Sequence, residues 1–287
     1  MIMASIRVLA VVFIGGSLAI HFGCEGQTKT EPLKPAPKIG EAPFKPPARN
    51  VGAKAVNPPA ASAGARGVPS PAPAAPLMAE KFAAHTPQTL TYETDKSTPL
   101  IAVQEAVPTC HCAGQKWWVR YYAGDTSAPA EREVHMTIDQ NGYIAEMEEI
   151  DRVDKVEVVY TPPLVLIPDK LPPKAVNDAI YRQDVKMVVH PLGDRTKIKA
   201  HGPAKNEIVF EGDEVVHTGA GDYTAHRITA TLTAELSAAK TVDTTETWLV
   251  DGIGTVIQRD HEETRVMGAR IRDNTSTLIL RSFEQTK

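Results

Sequence analysis

The chain has 287 residues, 42% of them hydrophobic, and a formal net charge of −4. The charge is segregated: residues 1–86 carry nine Lys/Arg against four Asp/Glu, a net of +5, which leaves −9 for residues 87–287. A domain that acidic repels a phosphate backbone, so nucleic acid is excluded as a partner.

Residues 1–23 have the layout of a secretory signal. One cation, Arg7, precedes an apolar run over residues 8–20, broken only by Gly15-Gly16-Ser17. That run is shorter than the ~20 residues of a bilayer-spanning helix and suits a signal-peptide core. It ends at Gly23-Cys24, where the chain resembles bacterial lipoprotein precursors. The resemblance implies cleavage before Cys24, acylation of its thiol with chains such as palmitate, and a domain held at the inner or outer membrane, facing the periplasm or the cell surface. Ordinary secretion, with Cys24 free or removed, is the alternative.

Residues 24–86 hold more than half of the 23 prolines, in a background of Ala, Gly and Lys. Such a segment cannot bury enough apolar surface to offset its ordering entropy, so a disordered Pro/Ala-rich tether is expected. About 200 residues remain for one well-buried domain, residues 87–287.

Thr98-Pro99 before Leu100, Val103 and Val107 predicts a short helix, with Thr as cap and Pro at its first position. Cys110, His111 and Cys112 follow. Two thiols and an imidazole could ligate a soft metal, form a redox-active or bridged pair, or be structural or incidental; a closed zinc site needs four ligands and no second cysteine pair exists. Residues 116–122 read as a strand in which Trp117 and Trp118 face opposite sides, one into the core and one outward or onto a cavity.

Residues 132–139 alternate, with Val134, Met136 and Ile138 inward, and Asn141-Gly142 marks a hairpin turn. The return strand, residues 143–149, places Tyr143, Ala145 and Met147 on one face and leaves Glu146 and Glu148 on a solvated one. Another strand follows at residues 155–160. Residues 161–173 read as an apolar, proline-punctuated loop whose Leu164, Leu166 and Ile167 form a plug or a lid. Residues 173–182 suggest a second short helix, with Val176, Ala179 and Ile180 on one face, and residues 184–190 and 207–210 add strands.

Residues 213–280 read as four or so antiparallel strands. The clearest is residues 227–235, where Ile228, Ala230, Leu232 and Ala234 alternate against Arg227, Thr229, Thr231, Thr233 and Glu235. Residues 244–250 and 255–260 flank an Asp251-Gly252-Ile253-Gly254 turn. The small-residue turn Gly219-Ala220-Gly221 before Tyr223 and a long strand, and the Trp248-bearing strand running through Gly252-Ile253-Gly254 into the next, resemble uncharacterised bacterial envelope families with a curved antiparallel sheet. That resemblance implies a half-barrel akin to the lipoprotein-carrier class, which holds acyl chains in an apolar concavity, and brings no catalytic residues.

The expected fold is therefore mainly β: a curved antiparallel half-barrel with one or two short helices after a disordered tether. No GxSxG elbow, P-loop or dinucleotide fingerprint occurs, and His261-Glu262-Glu263-Thr264-Arg265 lacks the second His of a zinc-protease motif. No cofactor is implied. The first functional expectation is a non-enzymatic, lipid-anchored module that binds an apolar ligand or an envelope protein, with Trp117, Trp118, Leu164, Leu166 and Ile167 as candidate contacts. The second is an envelope metal or thiol protein acting through Cys110, His111 and Cys112.

Overall fold

In a computed structural model, residues 75–83, 86–106, 115–176, 178–237 and 239–285 are described. They form twelve antiparallel strands: β1 (Gln88–Thr94), β2 (Leu100–Ala106), β3 (Lys116–Ala123), β4 (Arg132–Ile138), β5 (Ile144–Asp151) and β6 (Val156–Ile167), then β7 (Tyr181–Pro191), β8 (Ala200–Thr218), β9 (Gly221–Leu236), β10 (Ala239–Val250), β11 (Gly254–Val266) and β12 (Ala269–Gln285). Each pairs with its sequence neighbours, and β1 also pairs with β12, from Gln88↔Gln285 to Thr94↔Leu278.

That last ladder corrects the half-barrel expectation, because it closes the sheet into a barrel. Closure depends on β1 and β2, the two strands the local pattern conceals. Residues around Thr98-Pro99 do not start a helix; Leu100 and Ala102 are buried along a strand that pairs with both β1 and β3. Among the described residues there is no α-helix. Residues 173–182 are likewise not helical: Lys174 N donates to the Phe210 carbonyl at 2.7 Å, and Val176 and Ile180 are exposed.

The proline-punctuated segment is also a strand. β6 runs through Pro162 and Pro163, with the Thr161–Pro162 peptide cis. The prolines fall where the ladders lapse, since β6 pairs with β7 only up to Thr161↔Lys186 and with β5 again from Leu164↔Glu146. Side-chain amides occupy the gap. Gln183 Nε2 donates to the Pro163 carbonyl and Gln183 Oε1 accepts from Val165 N, at 2.8 and 2.9 Å. Asn206 Nδ2 donates to the Val165 carbonyl at 2.6 Å. These bonds satisfy backbone groups that a proline-broken ladder would otherwise bury unpaired.

The inward face alternates as the pleat requires. In β9 the buried set is Ile228, Ala230, Leu232 and Ala234, as the sequence pattern indicates. Its partner β10 turns Thr241, Asp243, Thr245 and Thr247 to the same side, in the pairs Thr245↔Ala230 and Thr247↔Ile228. β9 thus presents aliphatic and β10 polar side chains to the interior. Upstream of β1, residues 77–83 cross one end of the barrel as a strap with a 3-10 turn at Ala79–Phe82. Leu77 bridges Leu171, Lys81 Nζ pairs with Asp251 at 2.9 Å, and Leu77, Ala79, Phe82 and Ala83 are buried.

Candidate ligand cavity

Inside the barrel lies a cavity of about 140 Å3. Its apolar lining includes Phe82 from the strap, Trp117 and Val119 from β3, Met136 from β4, Ile228 from β9 and Leu278 from β12. Gln104, Arg132, Glu146, Thr245, Thr247 and Gln258 stand among them as polar lining. An apolar body and a few convergent polar groups make up the usual composition of a small-molecule site.

The polar lining includes deeply buried charged groups. Arg132 is 7% exposed; its Nε donates to Glu149 Oε1 at 2.5 Å, and its guanidinium lies 5.4 Å from the Tyr121 ring. Burial, with help from Glu146 and Asp151, pushes the Glu149 carboxyl up to about 8 against the pull of Arg132. Across the barrel, Asp260 accepts from Thr245 Oγ1 at 2.9 Å and from Gln258 Nε2 at 2.9 Å. Further along, Glu262 faces Arg272 Nε at 3.5 Å. Tyr92 donates its hydroxyl to the Thr255 carbonyl at 2.8 Å, and burial raises its pKa.

Glu146 corrects the solvated face expected for β5. It is 2% exposed and lines the cavity. The cause is a bulge between Glu146 and Glu148, which adds a residue to β5 and so brings both Glu146 and Glu149 inside. Only Glu148 of the expected pair lies on the outer wall, beside His135. The adjacent acids Glu148-Glu149 were the available signal, because they break the period of two. Arg132, Thr245 and Phe82 carried no comparable sign, although the run of Thr and Asp at alternate positions 241–247 marks a polar inward register.

Of the candidate contacts, Trp117, Leu166 and Ile167 line the cavity. Leu164 is buried in a second apolar cluster, with Val158, Met187 and Leu232. Trp118 stands on the outer wall, stacked on His135 with centroids 5.1 Å apart and an interplanar angle of 18°, and with Arg120 5.0 Å from its ring centroid. His135 in turn contacts Glu133 at 2.8 Å and Glu148 at 3.4 Å. Cys24, Cys110, His111 and Cys112 lie outside the described residues. Among the described residues, no group of three or more His, Cys, Asp or Glu is arranged to hold a metal ion.

No protein-family model and no curated protein matches the chain. Three solved structures resemble it loosely. One, described as a lipoprotein from Parabacteroides distasonis, is 13% identical with a TM-score of 0.41, covering 71% of this chain and 98% of its own. An exported protein with a YmcC-like fold from Bacteroides fragilis is 12% identical with a TM-score of 0.40, covering 74% and 100%. The hypothetical lipoprotein YmcC from Escherichia coli K12 is 9% identical with a TM-score of 0.33, covering 69% and 86%. At such scores no property of these proteins carries over to this chain.

Proposed function

We propose that this chain is a membrane-anchored lipoprotein of the bacterial envelope whose barrel binds a small amphiphilic molecule without chemical turnover. The anchor rests on the signal-like residues 1–23 and Cys24. Acyl chains at Cys24 would hold the domain stably, where a single chain gives only marginal binding.

The binding role rests on one observation, the interior cavity lined by Trp117 and Leu278 together with Arg132 and Glu146. Its volume of about 140 Å3 sets the ligand class. Cavities of about 150 Å3 take one benzene ring, and drug-sized ligands need roughly 300 Å3 or more. An acyl chain of membrane length does not fit. The ligand this cavity suits is the size of one ring, with a head that accepts from the Arg132 guanidinium and donates to the Glu146 carboxylate.

Thermal unfolding of the full chain in detergent, with phenol, benzamide, benzylamine and toluene as probes, tests this reading. Benzamide and phenol should raise the midpoint more than toluene does, and Ala230→Phe, which fills the cavity, should remove the shift. Shifts that persist in Ala230→Phe would place the binding elsewhere, and four probes without effect on the parent chain would sink the reading.

A further inference from the structure

Among the described residues that line the cavity, Phe82 alone stands outside the barrel strands. A ligand that crossed the wall would have to break a ladder of backbone hydrogen bonds. The wall lapses beside Leu166 and Ile167, where β6 has outrun its pairing with β7, and there the side chains of Gln183 and Asn206 clasp it. At the end of the barrel that carries the β5–β6 and β9–β10 turns, the interior holds Val156 and Leu236 of the second apolar cluster and the Arg132–Glu149 pair. Entry from that side would part a buried ion pair, which is costly. The end crossed by the strap is left.

The strap is held there by few polar bonds. Leu77 N donates to the Leu171 carbonyl at 2.9 Å, and Lys170 N donates to the Leu77 carbonyl at 2.7 Å. Ala79 N donates to Asp169 Oδ1 at 3.2 Å, and Gly252 N to the Lys81 carbonyl at 3.0 Å. The Lys81–Asp251 pair is half exposed and adds little. On the C-terminal side the chain is fixed again at Gln88, whose Nε2 donates to the Ile253 carbonyl at 3.1 Å. The strap can therefore swing about the start of β1 without disturbing a strand. Burial of Leu77 and Phe82 keeps it shut most of the time, so the open form is a minor state reached by local opening.

We infer that the strap is the gate of the cavity. It lifts from the barrel end and carries Phe82 away from the cavity, a ligand passes, and the strap closes over it. The inference rests on the binding role proposed above. A gate of this kind has a kinetic signature, because entry and exit both scale with the fraction of chains that are open. Loosening or locking the strap therefore changes the exchange rate and leaves Kd where it was.

Exchange of para-fluorobenzamide, followed by fluorine NMR on the full chain in detergent, tests the inference. The lock is Leu77→Cys/Leu171→Cys in a Cys110→Ser/Cys112→Ser background, since paired positions of antiparallel backbone lie within disulfide reach. Peptide mapping identifies the bridge. The oxidised lock should suppress exchange, and dithiothreitol should restore the parental rate. Asp169→Ala removes the acceptor of Ala79 N and should speed exchange about tenfold at unchanged Kd, the effect of losing one hydrogen bond to a charged group. Gln183→Ala, which loosens the clasp on β6, should exchange at the parental rate. Parental exchange in the oxidised lock, or in Asp169→Ala where the lock does not form, would overturn the gate and leave the binding intact. Faster exchange in Gln183→Ala than in Asp169→Ala would move the entry to the lapse beside β6 and overturn the gate as well. Absence of binding to the parent chain would instead remove the binding role, and the gate with it.

Discussion

Arg132 and Glu149 meet inside the barrel, Nε to Oε1 at 2.5 Å, with side chains 8% and 4% exposed. Removing one partner of such a pair typically costs about 3–5 kcal/mol, because the other is left uncompensated. Arg132→Met is expected at the lower end, about 3 kcal/mol, since Glu149 already favours its proton. The double variant Arg132→Met/Glu149→Leu should recover most of that loss in urea unfolding. A double variant no more stable than Arg132→Met would show that packing around Arg132, rather than its charge, matters.

The raised Glu149 pKa has a definite sign for stability. Its ordinary value is 4.5 and its folded value about 8, so between these the folded chain holds one more proton than the unfolded chain. The contribution is complete below about pH 4.5 and is lost as pH rises to 8, at up to about 1.4 kcal/mol per unit. Urea midpoints taken from pH 5 to 8 should fall with pH in the parent chain and fall less steeply in Glu149→Gln. Parallel profiles in the two would refute the assignment.

His135 on the outer wall should titrate above its ordinary 6.5. Burial works against the charged form, but hydrogen bonds to Glu148 and Glu133 outweigh it. Its stabilising contribution is therefore complete below 6.5 and lost as pH rises through the elevated value. The expected NMR result is an imidazole midpoint above 6.5 that drops in Glu133→Gln. A midpoint unmoved by that change would mean the contact is not populated in solution.

A Cβ at Gly202, in β8, would fall inside the van der Waals sphere of the Glu235 carbonyl oxygen. Backbone cannot yield there without separating β8 from β9, so Gly202→Ala should cost about 3 kcal/mol or abolish folding. Gly193 supplies the contrast, with φ of 75° and nothing within 4 Å of the added atom. Gly193→Ala should cost only the left-handed backbone strain, about 1 kcal/mol.

Phe82 is the strap residue that reaches the cavity, and its ring lies 5.5 Å from that of His226, edge to face. Phe82→Ala should cost about 3 kcal/mol, while Lys81→Ala, whose ion pair with Asp251 is half exposed, should leave the stability nearly unchanged. Chemical denaturation of both variants measures the difference, and equal losses would mean the strap is held by its backbone alone.

Strands with a strict period of two were legible in the sequence; β9 is the plainest case. The closure was not. It depends on Gln88 meeting Gln285 across the whole domain, and no local pattern announces a pairing of that range. In sequence β2 fits a helix as well, because Leu100 and Val103 share a helical spacing, and its strand state is imposed by β1 on one side and β3 on the other. The cavity is legible in part. Trp117, Leu166 and Ile167 stand out in the sequence as apolar residues in unusual settings, whereas Glu146 reads as a surface charge and is turned inward by the β5 bulge.

A closed barrel has no first or last strand, so its walls offer no template for another chain to add to. Among the described residues, unpaired strand edges occur in the two-stranded ribbon where β8 and β9 outrun β7 and β10, beyond Ile208 and His226, and along β12 ahead of Leu278, where its pairing with β1 ends. That ribbon is guarded against strand addition. Asp213, Glu214 and Asp222 put charge along it, Ala220 N bonds the Leu280 carbonyl, and Gly219 lies against Arg281. Strand addition at that ribbon would have to begin by lifting it, which makes Gly219, whose missing side chain permits the close approach, the residue on which the protection of this edge turns.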